Sequence, residues 1–202
     1  MEKAVDPACD LKNIYRDAVR EVDPAGLIVS RVRKEGRKLA LTGQEAEWSE
    51  DLSSYRQVMV LGIGKASARM ASAMESLLDE DLTSGFVITK YGHGLDLRKV
   101  KVHEAGHPVP DENSLKGARI LTDMARAADE HTLIIHLISG GGSSLFCLPA
   151  DGISLDHKRR TTQALLASGA GIDEVNCVRK HLSKVKGGGL ARIASPARLI
   201  NL

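Results

Sequence analysis

Short, continuous apolar runs recur along this chain and are separated by segments with helical spacing, and this alternation most constrains the fold. Strand-like runs lie at residues 58–61, 86–89, 100–102, 133–138 and 198–202. Strands that are apolar throughout are typical of sheets buried on both faces. Parallel strands also need crossover connections, which are usually helices. The pattern therefore predicts a parallel sheet with helices between its strands.

The intervening segments show the apolar period of amphipathic helices. Apolar residues repeat on one face in four of them: Leu11, Ile14, Ala18 and Val22; Leu27, Ile28 and Val32; Ala66, Met70, Ala73 and Leu77; and Leu115, Ala118, Leu121 and Ala125. A fifth helix is expected to begin at Ser154 or Asp156 and to run toward Leu166. Asp173 is expected to cap a further helix toward Leu182, and residues 43–55 read as a polar stretch. The predicted fold is α/β: a doubly wound, mostly parallel, Rossmann-like sheet with helices on both faces.

Composition excludes several classes of function. The formal net charge is +2, and basic and acidic residues are interspersed, so the basic stripe of a nucleic-acid binder is missing. Cys9, Cys147 and Cys177 lie far apart and outside any C-x-x-C spacing, which argues against a disulfide framework or a zinc site. No apolar run approaches the roughly 20 residues of a membrane span. We expect a cytoplasmic protein without nucleic-acid or membrane partners.

Two glycine turns follow predicted strands. The first contains Gly62, Gly64 and Lys65, and the second is the loop 139–144, which consists of Ser139, Gly140, Gly141, Gly142, Ser143 and Ser144. Ligands of doubly wound sheets bind beyond the carboxyl ends of strands. Glycine lets the backbone approach a ligand, and the N–H groups that open the next helix favour an anion. Both turns therefore predict binding of a phosphate-like anion, with Lys65 supplying a positive charge.

Other interpretations of these turns remain. A dinucleotide fingerprint would need a third glycine where Ser67 stands, and a P-loop would need a glycine at Met59. A serine nucleophile in the loop 139–144 lacks the Gly-x-Ser-x-Gly pattern. A sugar-phosphate loop with serines, a tight strand-to-helix turn and a flexible turn stay open.

His103 and His107 have the spacing of a helical zinc pair, but Gly106, Pro108 and Pro110 argue against a helix there. The segment 103–114 is interpreted as a rigid loop in which His107 and Asp111 face the ligand cleft. Asp111 is equally explained as the N-cap of the next helix.

The segment 176–189 carries the last group of candidates. On a helix, Asn176, Arg179 and Ser183 would share a face, while Lys180 and Lys184 would lie on a solvated one. Lys186 precedes three glycines expected to open a helix, a favourable place for an anion. Arg179 and Lys186 are therefore predicted to bind the ligand.

In chain order, the motifs VLGIGKAS, EAGHPVPDENS, LISGGGSSLFCLP and GAGIDEVNCVRKHLSKVKGGGLA resemble the class II glycerate kinases, whose members were often labelled hydroxypyruvate reductases. The resemblance implies transfer of phosphate from ATP, with Mg²⁺, to the 2-hydroxyl of D-glycerate. It implies that Lys65 stabilises negative charge and that the loop 139–144 holds phosphate or substrate. It also places Asn176, Arg179 and Lys186 in the same cleft, between this domain and a smaller C-terminal domain.

Members of that family continue past residue 202 with an Asp-bearing motif and the second domain. We therefore expect residues 1–202 to be an N-terminal Rossmann-like domain without its C-terminal domain, inactive alone and lacking the magnesium carboxylates. A homodimer, formed for example through a sheet edge at Leu202, is left open. The alternatives are an NAD(P)H-dependent hydroxypyruvate reductase and a non-catalytic module that binds organic anions.

Overall fold

The computed structural model describes residues 6–42 and 48–202. It begins with two helices, α1 (Pro7–Glu21) and α2 (Pro24–Arg31), each with proline in its first turn. Asp6 and Asp23 cap them by accepting the N–H groups of Ala8 and Gly26. Both predicted helices are confirmed, but Val32 lies outside the second helix, because it begins a strand. No residue of α1 is buried, so its apolar face packs against nothing described.

A small antiparallel sheet follows, and the sequence analysis missed it. It consists of β1 (Val32–Glu35), β2 (Lys38–Leu41) and β3 (Trp48–Asp51), in the order β1-β2-β3. Part of the stretch interpreted as polar, residues 43–47, lies outside the described residues. The remainder forms β3 and a single 3-10 turn, Leu52–Ser54, that leads into the main sheet. Strands of four residues, rich in charged side chains, give too weak an alternation to be recognised.

The main sheet has five parallel strands. They are β4 (Gln57–Ile63), β5 (Ser84–Lys90), β6 (Val100–Ala105), β7 (Thr132–Ile138) and β8 (Arg198–Asn201), in the order β6-β5-β4-β7-β8. The strand order changes direction between β4 and β7, since the chain proceeds outward on both sides of this pair. This is the switch point at which doubly wound sheets bind ligands. The predicted fold class is confirmed.

Four helices pack on the two faces of this sheet: α3 (Ser67–Leu78), α4 (Glu112–Arg126), α5 (Gly142–Leu145) and α8 (Gly189–Ala194). Two further helices, α6 (Leu155–Ala167) and α7 (Ile172–His181), contact each other. Successive side chains of a strand point to opposite faces. Along β4, Val58 and Val60 join the apolar core with α3, whereas Met59 and Leu61 join the core with α4 and α8. Two cores therefore hold the switch point rigidly between them.

Some predicted boundaries were wrong. Helix α7 begins after Gly171 and not after Asp173, and it ends at His181, so Ser183 does not share a helical face with Arg179. Residues 103–105 belong to β6, not to a loop. Ser154 does cap α6, as expected. In the part of the chain that the structure describes, no helix is both long and apolar enough to cross a bilayer.

Candidate anion-binding site

The two predicted glycine turns meet at the switch point. The N–H of Lys65 donates to the carbonyl of Gly140 at 2.9 Å, and the N–H of Ser139 donates to the carbonyl of Ile63 at 3.0 Å. The N–H of Ala66 donates to the Ser139 hydroxyl at 3.0 Å. The ends of β4 and β7 are thus joined into one loop pair.

This close approach explains one of the glycines. Gly64 has φ +120°, a backbone conformation that side chains rarely adopt, and a Cβ there would collide with the main chain and hydroxyl of Ser139. Gly62 is also confined, because a Cβ would lie 2.8 Å from Cγ1 of Val87 on β5. A larger residue at position 64 would therefore separate the two loops.

Lys65 is anchored by its main chain and free at its side chain. Its carbonyl accepts the Thr89 hydroxyl at 3.2 Å and lies 3.2 Å from Nδ1 of His93. The residue is exposed, and its Cε lies 3.8 Å from the Cβ position of Gly140. The ammonium group therefore extends beside the glycine loop, where a bound anion would meet it. His93 is therefore a neighbour of this lysine.

His107 lies at the same place. At Gly141, where φ is +90°, an added Cβ would be 2.9 Å from Nε2 of His107 and 3.1 Å from Cγ of Lys65. Gly142 then begins the single turn α5, with Gly141 as its N-cap. The structure thus brings His107, Lys65 and the glycine loop into one cluster.

Asp111 has a different position. Its Oδ1 accepts the N–H groups of Ser114 (2.8 Å) and Gly106 (3.0 Å), and its Oδ2 accepts the Tyr91 hydroxyl at 2.6 Å. Burial raises the pKa of Asp111, but the hydrogen bonds from Tyr91, Ser114 and Gly106 outweigh burial and lower the pKa to about 2. The carboxylate caps α4 with both oxygens occupied, so the N-cap interpretation describes its role in the structure.

Beside the loop pair lies a cavity of about 220 Å³ between α6, α7 and the segment 108–110. Four basic residues line it: Lys158, Arg159, Arg179 and Lys186. The Arg179 guanidinium donates to the Ser143 hydroxyl at 2.6 Å, which connects the cavity to the loop 139–144. Burial, with Lys158 and Arg179 nearby, lowers the pKa of Lys186 to about 8. The arrangement suits a small anion.

The predicted residues reach this cavity to different extents. Arg179 and Lys186 line it, whereas Asn176 is exposed on α7 and accepts a long, 3.4 Å hydrogen bond from Arg179. Lys158 and Arg159 were missed. The basic run 157–160 was visible in the sequence, but charges on a helix are usually solvated, and only the packing of α6 shows which of them are enclosed.

The alternatives drawn from the sequence find little support. Ser67 stands at the third-glycine position, is buried, and donates to the carbonyls of Gly64 (2.8 Å) and Ile88 (2.9 Å). The strand β5 ends at Lys90, where a dinucleotide site would place an acid for the ribose. His103 stacks on Phe86 and binds the Asn113 carbonyl, a structural role. Among residues 6–42 and 48–202, no three His, Cys, Asp or Glu side chains form a metal-binding group.

Known proteins resemble this chain over most of its length. Residues 10–202 match the family described as "Domain of unknown function (DUF4147)". A glycerate 2-kinase of Pyrococcus horikoshii is 44% identical over 177 residues, and a D-glycerate 2-kinase of Thermotoga maritima is 46% identical over 147 residues. These alignments cover 88% and 72% of this chain but only 38% and 35% of the relatives.

A crystal structure of a Pyrococcus horikoshii protein superposes with a TM-score of 0.85 at 40% identity, over 98% of this chain and 44% of that one. The chain belongs to the DUF4147 family and corresponds to the N-terminal domain of the class II glycerate kinases.

Proposed function

We propose that residues 1–202 form the N-terminal domain of a D-glycerate 2-kinase, which transfers a phosphoryl group from ATP to the 2-hydroxyl of D-glycerate. The observation that carries the proposal is the hydrogen-bonded union of the Lys65 turn with the loop 139–144 at the switch point. The names of the two kinase relatives support it. The active site would lie between this domain and a separate C-terminal domain.

Phosphoryl transfer requires little covalent chemistry from a protein. It depends on positioning and on cations and fixed N–H groups that stabilise charge on the transferred group. Lys65 is assigned the catalytic charge, because its main chain is fixed and its ammonium is free. Gly62, Gly64, His107 and the loop 139–144 would surround the bound anion, with Asn176, Arg179 and Lys186 at its outer side.

Mg²⁺ enters the proposal only as the companion of ATP. The ion usually takes one or two carboxylates together with substrate phosphates. Within the described ranges, Asp111 has both oxygens occupied, and no three His, Cys, Asp or Glu side chains form a metal-binding group. A cytoplasmic location and a homodimer are likewise proposed, on the sequence alone.

The test is a chimera in which this chain is joined to the C-terminal remainder of the Pyrococcus horikoshii relative. We expect ADP release that depends on D-glycerate, with 2-phosphoglycerate as the product. The same chimera carrying Lys65→Met should lose turnover, and Lys12→Met, which changes an exposed residue of α1, should keep it. A chimera that binds ATP and D-glycerate but makes no phosphoglycerate would refute the kinase assignment.

The isolated chain can be tested in the same ADP-release assay. Without the C-terminal domain we expect no turnover, since the described residues offer only one side of a cleft. Binding of ATP or D-glycerate to this chain, measured by calorimetry, is expected to persist. Turnover by the 202-residue chain alone would contradict the need for a second domain.

A further inference from the structure

We propose that the cavity between α6 and α7 is a distinct oxyanion subsite, in which Lys158 binds a carboxylate or phosphate group directly. This subsite adds detail to the proposed kinase function. It rests on that function only for the identity of the anion. Arg179 and Lys186 would share the charge, and Ser143 would join the subsite to the loop 139–144. The anion would therefore lie beside the Lys65 cluster.

The first observation is an unpartnered charge. Lys158 is 6% exposed, and its Nζ has no hydrogen-bond partner among the described residues. An ammonium group carries three donors, and leaving a buried charged group unsatisfied is costly. The buried thiol of Cys147 lies near it and is only a weak hydrogen-bond partner. A bound oxyanion would supply the acceptors that the protein lacks.

The second observation is the balance of charge. Lys158, Arg159, Arg179 and Lys186 surround one cavity, and none of them forms a salt bridge with a carboxylate of residues 6–42 or 48–202. The nearby acids are committed elsewhere, since Asp156 pairs with Arg160 and Asp151 with Lys184. Like charges held together in a partly dry site favour an anionic guest.

The shape of the cavity limits what enters. At about 220 Å³ it is smaller than the roughly 300–1,000 Å³ of drug-sized sites. Pro108, Val109, Pro110 and Leu166 form apolar walls, and the Arg159 side chain holds this segment by donating to the Pro110 carbonyl at 2.6 Å. The cavity therefore fits a small acid, or the anionic end of a larger one.

The test titrates three probes, inorganic phosphate, ATP and D-glycerate, into the wild-type chain and into Lys158→Met by calorimetry. Lys180→Met is the control, because Lys180 is an exposed lysine on α7. We expect Lys158→Met to weaken at least one probe by about tenfold or more, and the control to change none. Loss of phosphate and ATP identifies a phosphate subsite, whereas loss of D-glycerate alone identifies a carboxylate subsite.

A structural role is separated by the unfolding temperature without anion. If Lys158 serves a ligand, Lys158→Met removes an unpaired buried charge and should unfold at the same or a higher temperature; a purely structural lysine would give a lower one and unchanged affinities. Should the variant fail to fold, the wild type still provides a test: a bound probe should shift the ¹³Cε and ¹⁵Nζ NMR signals of Lys158 but not those of Lys180.

Unchanged affinities for all three probes in Lys158→Met would overturn the subsite. Absence of both binding and a shift of the Lys158 signals in the wild type at millimolar probe would overturn it as well. The chimera tests the kinase separately. Glycerate-dependent turnover with Lys158-independent binding would remove the subsite and leave the function. Lys158-dependent phosphate binding without turnover would keep the subsite and refute the kinase function.

Discussion

The main-chain N–H of Lys65 donates a 2.9 Å hydrogen bond to the carbonyl of Gly140. This bond joins the turn after β4 to the turn after β7, the two strands at which the sheet changes direction. The lysine that we propose as catalytic and the proposed anion-binding loop are thereby positioned as one unit. The geometry depends on glycine at position 64, and the charge depends on a side chain that the fold leaves free.

Replacing Lys65 should therefore weaken ligand binding and leave the stability of the fold nearly unchanged. We expect Lys65→Met to weaken ATP or D-glycerate binding about tenfold, because it removes one charge-assisted hydrogen bond. Its unfolding free energy should change by less than about 0.5 kcal/mol, since the side chain is exposed. Calorimetry and urea denaturation measure the two effects, with Lys12→Met as the control. A loss of stability as large as the loss of binding would contradict the assignment.

Gly64 and Gly36 form a matched pair for testing how tightly the Lys65 turn and the loop 139–144 are held together. Both have positive φ, but nothing lies within 4 Å of a Cβ at Gly36, whereas Ser139 fills that position at Gly64. Gly36→Ala should cost about 1 kcal/mol for the backbone conformation alone. Gly64→Ala should cost more than about 3 kcal/mol, because strain and collision combine. Equal costs in urea denaturation would show that the two loops separate freely.

Several features were predictable because they are local. The apolar runs and helical periods predict the parallel sheet, and the glycines after two strands mark the switch point. Local patterns could not reveal that the apolar face of α1 stays unburied among the described residues, with Leu11 68% and Ile14 65% exposed. Nor could they reveal that Lys158 is enclosed while Lys180 is solvated, because both are basic residues on helices. Burial of a charge depends on which helices meet, and that is a property of the whole fold.

Anion binding should depend on pH through Lys186. Burial and the charges of Lys158 and Arg179 lower its pKa to about 8, so its charge is lost as the pH rises through that value. We expect sulfate, which does not titrate in this range, to bind more weakly at pH 9 than at pH 7. Lys158 contributes in the same direction, because burial lowers its pKa as well. Lys186→Arg should reduce the pH dependence, and an unchanged dependence would exclude Lys186.

The stability of the ligand-free chain should increase with pH, whereas anion affinity should decrease. The folded pKa of Lys186 lies below its ordinary value of 10.5, so between the two the unfolded chain binds more protons. The unfolding free energy therefore rises with pH from about 8 to about 10.5. Urea denaturation at pH 8 and pH 10 should show this contribution in the wild type and lose it in Lys186→Met. A wild type that instead loses stability by an amount that depends on Lys186 would contradict the lowered pKa.

Asp111 allows its cap role to be distinguished from a ligand role. Its folded pKa of about 2 lies below the ordinary 3.8, so the ionised carboxylate stabilises the fold above about pH 4, and this contribution disappears as the pH falls toward 2. Asp111→Asn should cost about 1–2 kcal/mol at pH 7 and much less near pH 2. The exposed Asp17→Asn serves as the control, with little cost at either pH. Anion affinity of Asp111→Asn should match the wild type when it is measured under conditions where both are folded. If Asp111→Asn instead loses anion affinity while its stability is unchanged, Asp111 contacts the ligand.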